Sequence, residues 1–288
     1  MHRPVGIFYA YWANDWDVDF LPFVGKAKAL GFDVLELHAA VLESKEASCR
    51  LKIRNEAEKV GLTLTYCMGL DEQYDVSSMN EETRDYGVQY MKRIIRAIGE
   101  MGGGMISGLI HGPWLSVFPE SLTSKDPVLK QSLKSMKELA PFAEEHGVTL
   151  NVEVVNRFEQ YLLNTSEEAL AYVEEVNSPA CNILLDTFHM NIEEDSIAAA
   201  IRHAGKRLGS LHLGESNRKP PGMGNMPWSE IKKALDDIDY SGPLVMEPFV
   251  MQGGSIGRAI GVWRDIIKNP DLDALAEKAA AFVKANLK

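Results

Sequence analysis

Hydrophobic positions along this chain switch between two periods. Short runs of strand character occupy residues 5–9, 34–37, 62–67, 105–110, 149–153, 183–186, 208–213 and 244–247. They span four to six positions each, the length of β-strands. Between them, over 20–30, 45–60, 81–101 and 124–146, apolar residues recur at intervals of three and four, as on one face of a helix. The joints agree. Gly31, Gly61 and Gly147 each stand where such a stretch gives way to the next strand, a place where the chain often needs the positive φ that glycine accepts cheaply. Asn164-Thr165-Ser166-Glu167-Glu168 reads as a helix start, with a capping side chain followed by acids in the first turn.

Eight strand-then-helix units in 288 residues predict an α/β protein of (β/α)8 TIM-barrel architecture, one catalytic domain over 1–288 with no linker or composition break to divide it. The competing architecture is a doubly wound open sheet, which wants a glycine-rich phosphate loop after its first strand. Here the first strand runs into Tyr9-Ala10-Tyr11-Trp12, and Gly102-Gly103-Gly104 precedes a strand instead of following one. The barrel is therefore the expected fold.

Composition narrows the class of partner. Thirty Lys and Arg stand against 41 Asp and Glu, a net charge of −11, which disfavours nucleic acid and anionic membrane surfaces because both need a basic face. Three cysteines, Cys49, Cys67 and Cys181, cannot form a fully paired framework. The first residues carry neither a secretory core nor a membrane span, so a cytoplasmic enzyme acting on a small molecule is expected.

In a barrel the chemistry gathers at the C-terminal ends of the strands. The fifth run ends in Glu153, the sixth in Asp186 and the eighth in Glu247, and the seventh carries His212 near its end. A lone acid at a strand end is usually a cap or a salt-bridge partner, and a lone strand histidine is usually a satisfied core residue. Three carboxylates and an imidazole on four consecutive strands are another matter, because burying them together without a counter-charge costs several kcal/mol per group. A divalent cation removes that cost. Oxygen-rich ligation with one imidazole suits Mn2+, Mg2+ or Co2+, whereas structural zinc would want cysteine, and no cysteine falls among these four strand ends.

Four protein ligands leave two octahedral positions, enough for two adjacent sugar oxygens, and such a cation polarises a carbonyl and stabilises its enolate. Glu153 and Glu247 belong to strands three steps apart round a ring of eight, so they approach the mouth from nearly opposite sides. Two carboxylates on opposite faces of one carbon are what epimerisation requires, one removing a proton and the other returning it from behind. Glu159, His189 and Arg218 follow at short offsets in the loops above the rim and form a candidate hydroxyl-binding shell. Trp12, Trp16, Trp114 and Phe249 also fall near strand ends and could serve as apolar walls, although core packing is the ordinary role of an aromatic ring.

At these residues the chain resembles the family of ketose 3-epimerases that includes the D-tagatose 3-epimerases and D-psicose (D-allulose) 3-epimerases. The matching stretches are 153–159, 185–194, 212–218 and 245–249, with 6–12 and 262–265 at either end, so the resemblance spans nearly the whole chain. It implies that Glu153, Asp186, His212 and Glu247 hold one Mn2+ (or Co2+) per chain, bound to O2 and O3 of the sugar. It further implies that the two glutamates exchange the C3 proton of a ketohexose through a cis-enediolate. By the same resemblance Glu159, His189 and Arg218 bind the oxygens around C1 to C3, and Trp114 and Phe249 close the pocket. Phe8, with Cys67 and Leu109, matches the tagatose-type pattern, where psicose-type members carry tyrosine at the position of Phe8. An apolar far end offers few hydrogen bonds with which to discriminate, so broad ketose acceptance is expected. Residues 110–113 depart from the family pattern around His111. The family's habit implies a homodimer or homotetramer. The alternatives are another metal-using sugar or cyclitol isomerase on the same barrel, a phosphodiesterase with several metals, and a non-catalytic sugar-binding module.

Overall fold

The computed structural model describes residues 2–288. Its eight strands are β1 (Val5–Phe8), β2 (Val34–His38), β3 (Thr63–Leu70), β4 (Gly104–Pro113), β5 (Val148–Val154), β6 (Cys181–Asp186), β7 (Leu208–Leu213) and β8 (Leu244–Met246). Every neighbouring pair is parallel and β1 closes on β8, giving the expected barrel. The helices are α1 (Leu21–Ala29), α2 (Ala39–Ser44), α3 (Ala47–Val60), α4 (Glu81–Glu100), α5 (Asp126–Glu145), α6 (Ser166–Val176), α7 (Thr187–Glu193), α8 (Ile197–Ala204), α9 (Trp228–Asp237), α10 (Gly254–Ala259) and α11 (Leu272–Leu287).

The strands are largely apolar because each face is covered, by the barrel interior on one side and the helical ring on the other. Ile7, Leu35, Ile106, Leu150, Val152, Leu185 and Leu211 are all fully buried. Gly31, Gly61 and Gly147 have φ of 85°, 66° and 67°, as their position at the joints required. Helix α6 begins where the capping pattern placed it, with Thr165 Oγ1 accepting the Glu168 N–H at 3.3 Å. At the far end of the barrel Arg3 ties the two ends of the chain together. It donates to Tyr240 O at 2.9 Å, Leu287 O at 2.6 Å and Asp236 Oδ1 at 2.6 Å.

Two differences from the expected pattern bear on the site. Strand β3 runs on to Leu70 and β4 to Pro113, and their register shifts after Gly69. This irregularity carries Trp114 over the mouth, and only glycine fits beneath it, since a Cβ on Gly69 would lie 2.9 Å from Trp114 Cβ. The short helices α2 and α7 start directly at the ends of β2 and β6, so His38 and Asp186 are helix N-caps as well as strand ends.

Candidate active site

Strand register sets the floor of the site. Asp186 pairs with His212 across β6 and β7, so their side chains leave the sheet side by side. Both are fully buried, and Glu153 and Glu247 are nearly so. Capping of α7 divides the work of the Asp186 carboxylate: Oδ1 accepts the Phe188 N–H, while Oδ2 is buried with no partner. His212 Nδ1 is likewise buried and unpartnered. One ligand atom each from Glu153, Asp186 and His212 lies within 4.8 Å of the others. Glu247 stands at the edge of this group, with Oε1 3.6 Å from His212 Nδ1. Buried oxygen and nitrogen donors left without partners are what a divalent cation satisfies, so this donor set fits one.

Electrostatics support the same reading. Burial, with Glu247 next in importance, pushes the Glu153 carboxyl well above the usual range. Burial likewise raises Glu247 to about 7, against the pull of His212 and Arg218. For His212 burial opposes the charge, but Glu36 and Glu247 outweigh it and raise the ring to about 10. Glu153 and Glu247, held in one dry place, thus retain protons that a cation would displace.

Above this floor lies a cavity of about 270 Å3. Glu153, Glu247, Glu159, His189, Arg218, Phe8, Trp16, Cys67, Leu109, Trp114 and Phe249 all face it. Asp186 and His212 lie below, so the residues expected at the site from the sequence, Trp12 excepted, are brought together here. The loop 214–227 delivers Arg218 in the left-handed region (φ 59°). The Arg218 guanidinium lies 3.9 Å from the Phe188 ring centroid, donates to Glu247 Oε2 at 3.2 Å and approaches Asp186 Oδ2 at 3.7 Å. Glu159 is held from two sides, by Trp114 Nε1 at 3.0 Å and Asn156 Nδ2 at 3.0 Å. Phe8 meets Phe249 edge-on at 6.4 Å, and Trp16 meets Trp114 edge-on at 6.1 Å, forming an aromatic wall.

One expectation needs correction. Trp12 does not face the cavity: a 3-10 turn over Tyr9–Tyr11 carries it outward to stack on Phe23 at 6.0 Å. Cys67 lines the cavity as expected and also lies close to the ligands. Its sulfur lies within 4.8 Å of ligand atoms of Glu36 and His212, because the barrel closes β3 and β7 onto one interior. Burial, then Glu36, raises the thiol well above its usual value, so it lines the cavity as a neutral group. His111 lies outside the cavity, in the layer beneath α5 and α6, with its ring 6.0 Å from that of Tyr172.

The sequence reading also missed residues that the fold supplies. Glu36 on β2 is fully buried, and its Oε2 lies 2.8 Å from His212 Nε2. A carboxylate between leucines in a short apolar strand was itself a signal, since such a charge needs a partner. His38 also lines the cavity, and burial lowers its ring to about 4. Asn156, between Glu153 and Glu159, fixes His189.

A closed parallel barrel carries acids, an imidazole and a cavity at its C-terminal rim, the place where barrel enzymes build their sites. The chain belongs to the xylose isomerase-like TIM barrel family, which matches residues 24–285. It is 42% identical to the D-psicose 3-epimerase of Enterocloster bolteae, over 95% of this chain and 91% of that protein. It is 39% identical to the D-psicose 3-epimerase of Agrobacterium fabrum, over 95% and 94% of the two chains. The solved D-psicose 3-epimerase of Clostridium cellulolyticum H10, crystallised with D-tagatose, superposes with a TM-score of 0.96 at 39% identity and 99% coverage of both chains.

Proposed function

We propose that this chain, as one catalytic barrel over 1–288, is a metal-dependent ketose 3-epimerase that inverts C3 of free ketohexoses. The substrates are the pairs D-tagatose/D-sorbose and D-fructose/D-psicose. The observation that carries this reading is the convergence of Glu153 and Glu247 on one cavity above a buried, unpartnered donor set. Glu153, Asp186, His212 and Glu247 would hold the cation, Mn2+ first and Co2+ or Mg2+ in its place. When bound, that cation supplies the positive charge that stabilises the oxyanions developing at C2 and C3.

The chain's own residues do the rest. One glutamate removes the C3 proton from one face, and the other, protonated, delivers its proton to the opposite face of the cis-enediolate. The raised affinities of both carboxyls for protons suit a pair in which one is acid while the other is base. One turnover leaves the two carboxyls in exchanged protonation states, so the site either runs the reverse reaction or resets by exchange with water. His189 and Arg218 donate to sugar oxygens and Glu159 accepts from hydroxyls. Trp114 and Phe249 cover the sugar. Phe8, Trp16, Cys67 and Leu109 present an apolar wall to its far end, which supports broad ketose acceptance.

The same reading includes a cytoplasmic location, supported by three free cysteines, and an assembly of two or four copies. Exposed Leu115, Val117 and Phe158 on adjoining rim loops support the assembly. Among the described residues no helix is long and apolar enough to cross a membrane.

Replacing either glutamate by glutamine tests the two-base scheme. Glu153→Gln and Glu247→Gln should each lower kcat for D-fructose/D-psicose and D-tagatose/D-sorbose interconversion by about 10^3-fold or more. Near-normal turnover in either variant would overturn it.

A further inference from the structure

Glu36 has no place in the reaction as described, yet it is among the most deeply enclosed charged side chains in the barrel. It projects from the middle of β2, pairs in register with Thr65 on β3, and its Oε1 accepts the Thr65 hydroxyl at 3.0 Å. Its Oε2 lies 2.8 Å from His212 Nε2, a close polar contact outside ideal hydrogen-bond alignment. The His212 ring therefore spans two neighbourhoods, with Nε2 toward Glu36 and Nδ1 toward Glu247 Oε1 at 3.6 Å. A ring nitrogen ligates a cation only through its lone pair, and a neutral imidazole carries one proton on one of two nitrogens. A carboxylate is an acceptor only, so Glu36 favours the proton on Nε2 and leaves the Nδ1 lone pair facing the cavity.

We propose that Glu36, braced by Thr65, is a positioning residue that sets the tautomer and orientation of His212 for cation binding. The inference rests on the divalent-cation reading of the site. Outer partners of this kind tune a ligand's basicity and orientation, and their loss typically weakens affinity about 10- to 100-fold. Glutamine at this position has nearly the same shape and keeps an acceptor for Thr65, but its NH2 can donate to Nε2 and so stabilise the tautomer whose Nδ1 cannot ligate.

The test is titration of full-length protein, stripped with chelator, with Co2+, reading calorimetric Kd and the visible d–d bands. The Glu36→Gln variant should bind about 10- to 100-fold more weakly than wild type, with shifted bands. Thr65→Val, which removes only the brace, should weaken binding in the same direction by less, and it carries the test alone if Glu36→Gln does not fold. A Kd within about twofold of wild type and unchanged bands, in Glu36→Gln or, failing its folding, in Thr65→Val, overturn the role of Glu36. Wild-type protein that binds no Co2+ overturns the cation reading and this inference together.

Discussion

The backbone N–H of Asn156 donates to Nδ1 of His189 at 3.2 Å, and the Asn156 side-chain amide lies 2.8 Å from the same nitrogen. Nδ1 is therefore an acceptor, and the ring proton sits on Nε2, which faces Glu153 Oε1 at 3.9 Å. Burial lowers the ring to about 3, so His189 is neutral and offers the cavity a single N–H.

Asn156→Asp should disturb this arrangement more than Asn156→Ala. The aspartate oxygens would accept where the amide donates, drawing a proton onto Nδ1 of His189. We expect kcat/KM to fall about 10- to 100-fold in the alanine variant and further in the aspartate variant. Nitrogen NMR of the histidine rings should show the altered tautomer in the aspartate variant. Unchanged ring shifts with unchanged kcat/KM would contradict the assignment.

Cation binding should release protons. Glu247 raised to about 7 and His212 raised to about 10 both hold protons more tightly than their ordinary values. A raised group is protonated below its shifted value, and ligation requires the proton to leave. Affinity for Mn2+ therefore rises with pH through this range and falls toward acid, by up to about tenfold per pH unit for each proton displaced. Calorimetry in buffers of different ionisation enthalpy should find about one proton or more released per cation near pH 8. An affinity that is flat with pH would contradict the site's electrostatics.

The loop that presents Arg218 hangs on one carboxylate. Glu215 is fully buried and accepts from Gly222 N at 2.7 Å, Met226 N at 3.1 Å and Trp228 Nε1 at 3.1 Å. Its carbonyl also accepts the Arg218 N–H at 2.9 Å. Glu215→Ala leaves two backbone N–H groups and the Trp228 indole N–H unpaired, at a cost of roughly 2–4 kcal/mol. The melting temperature should fall by roughly 5–10 °C, and KM should rise because Arg218 loses its support. A variant with wild-type stability and KM would show that the loop is held by other contacts.

The sequence disclosed more of the strands than of what passes between them. Strands β1 to β8 were legible because two covered faces demand continuous apolar runs, and Glu153, Asp186, His212 and Glu247 were legible as polar exceptions at the ends of those runs. Glu36 was not read, although it is an exception of the same kind. Its meaning depends on closure of the barrel, which sets β2 against His212 on β7. The nearness of Cys67 to Glu36 and His212 depends on the same closure. Trp12 looked like a rim residue because it follows β1 closely, but a single 3-10 turn reverses where it points. Helices α2 and α7 were missed because six or seven residues show too little periodicity to separate from a loop.

The central claim is proton exchange at the third carbon of the sugar. D-fructose or D-tagatose converted in heavy water, with product examined by NMR, tests it most directly. Deuterium at C3 of the epimer is the predicted result. Deuterium at C1, with C3 unlabelled, would contradict the account and point to an aldose–ketose isomerase on the same barrel.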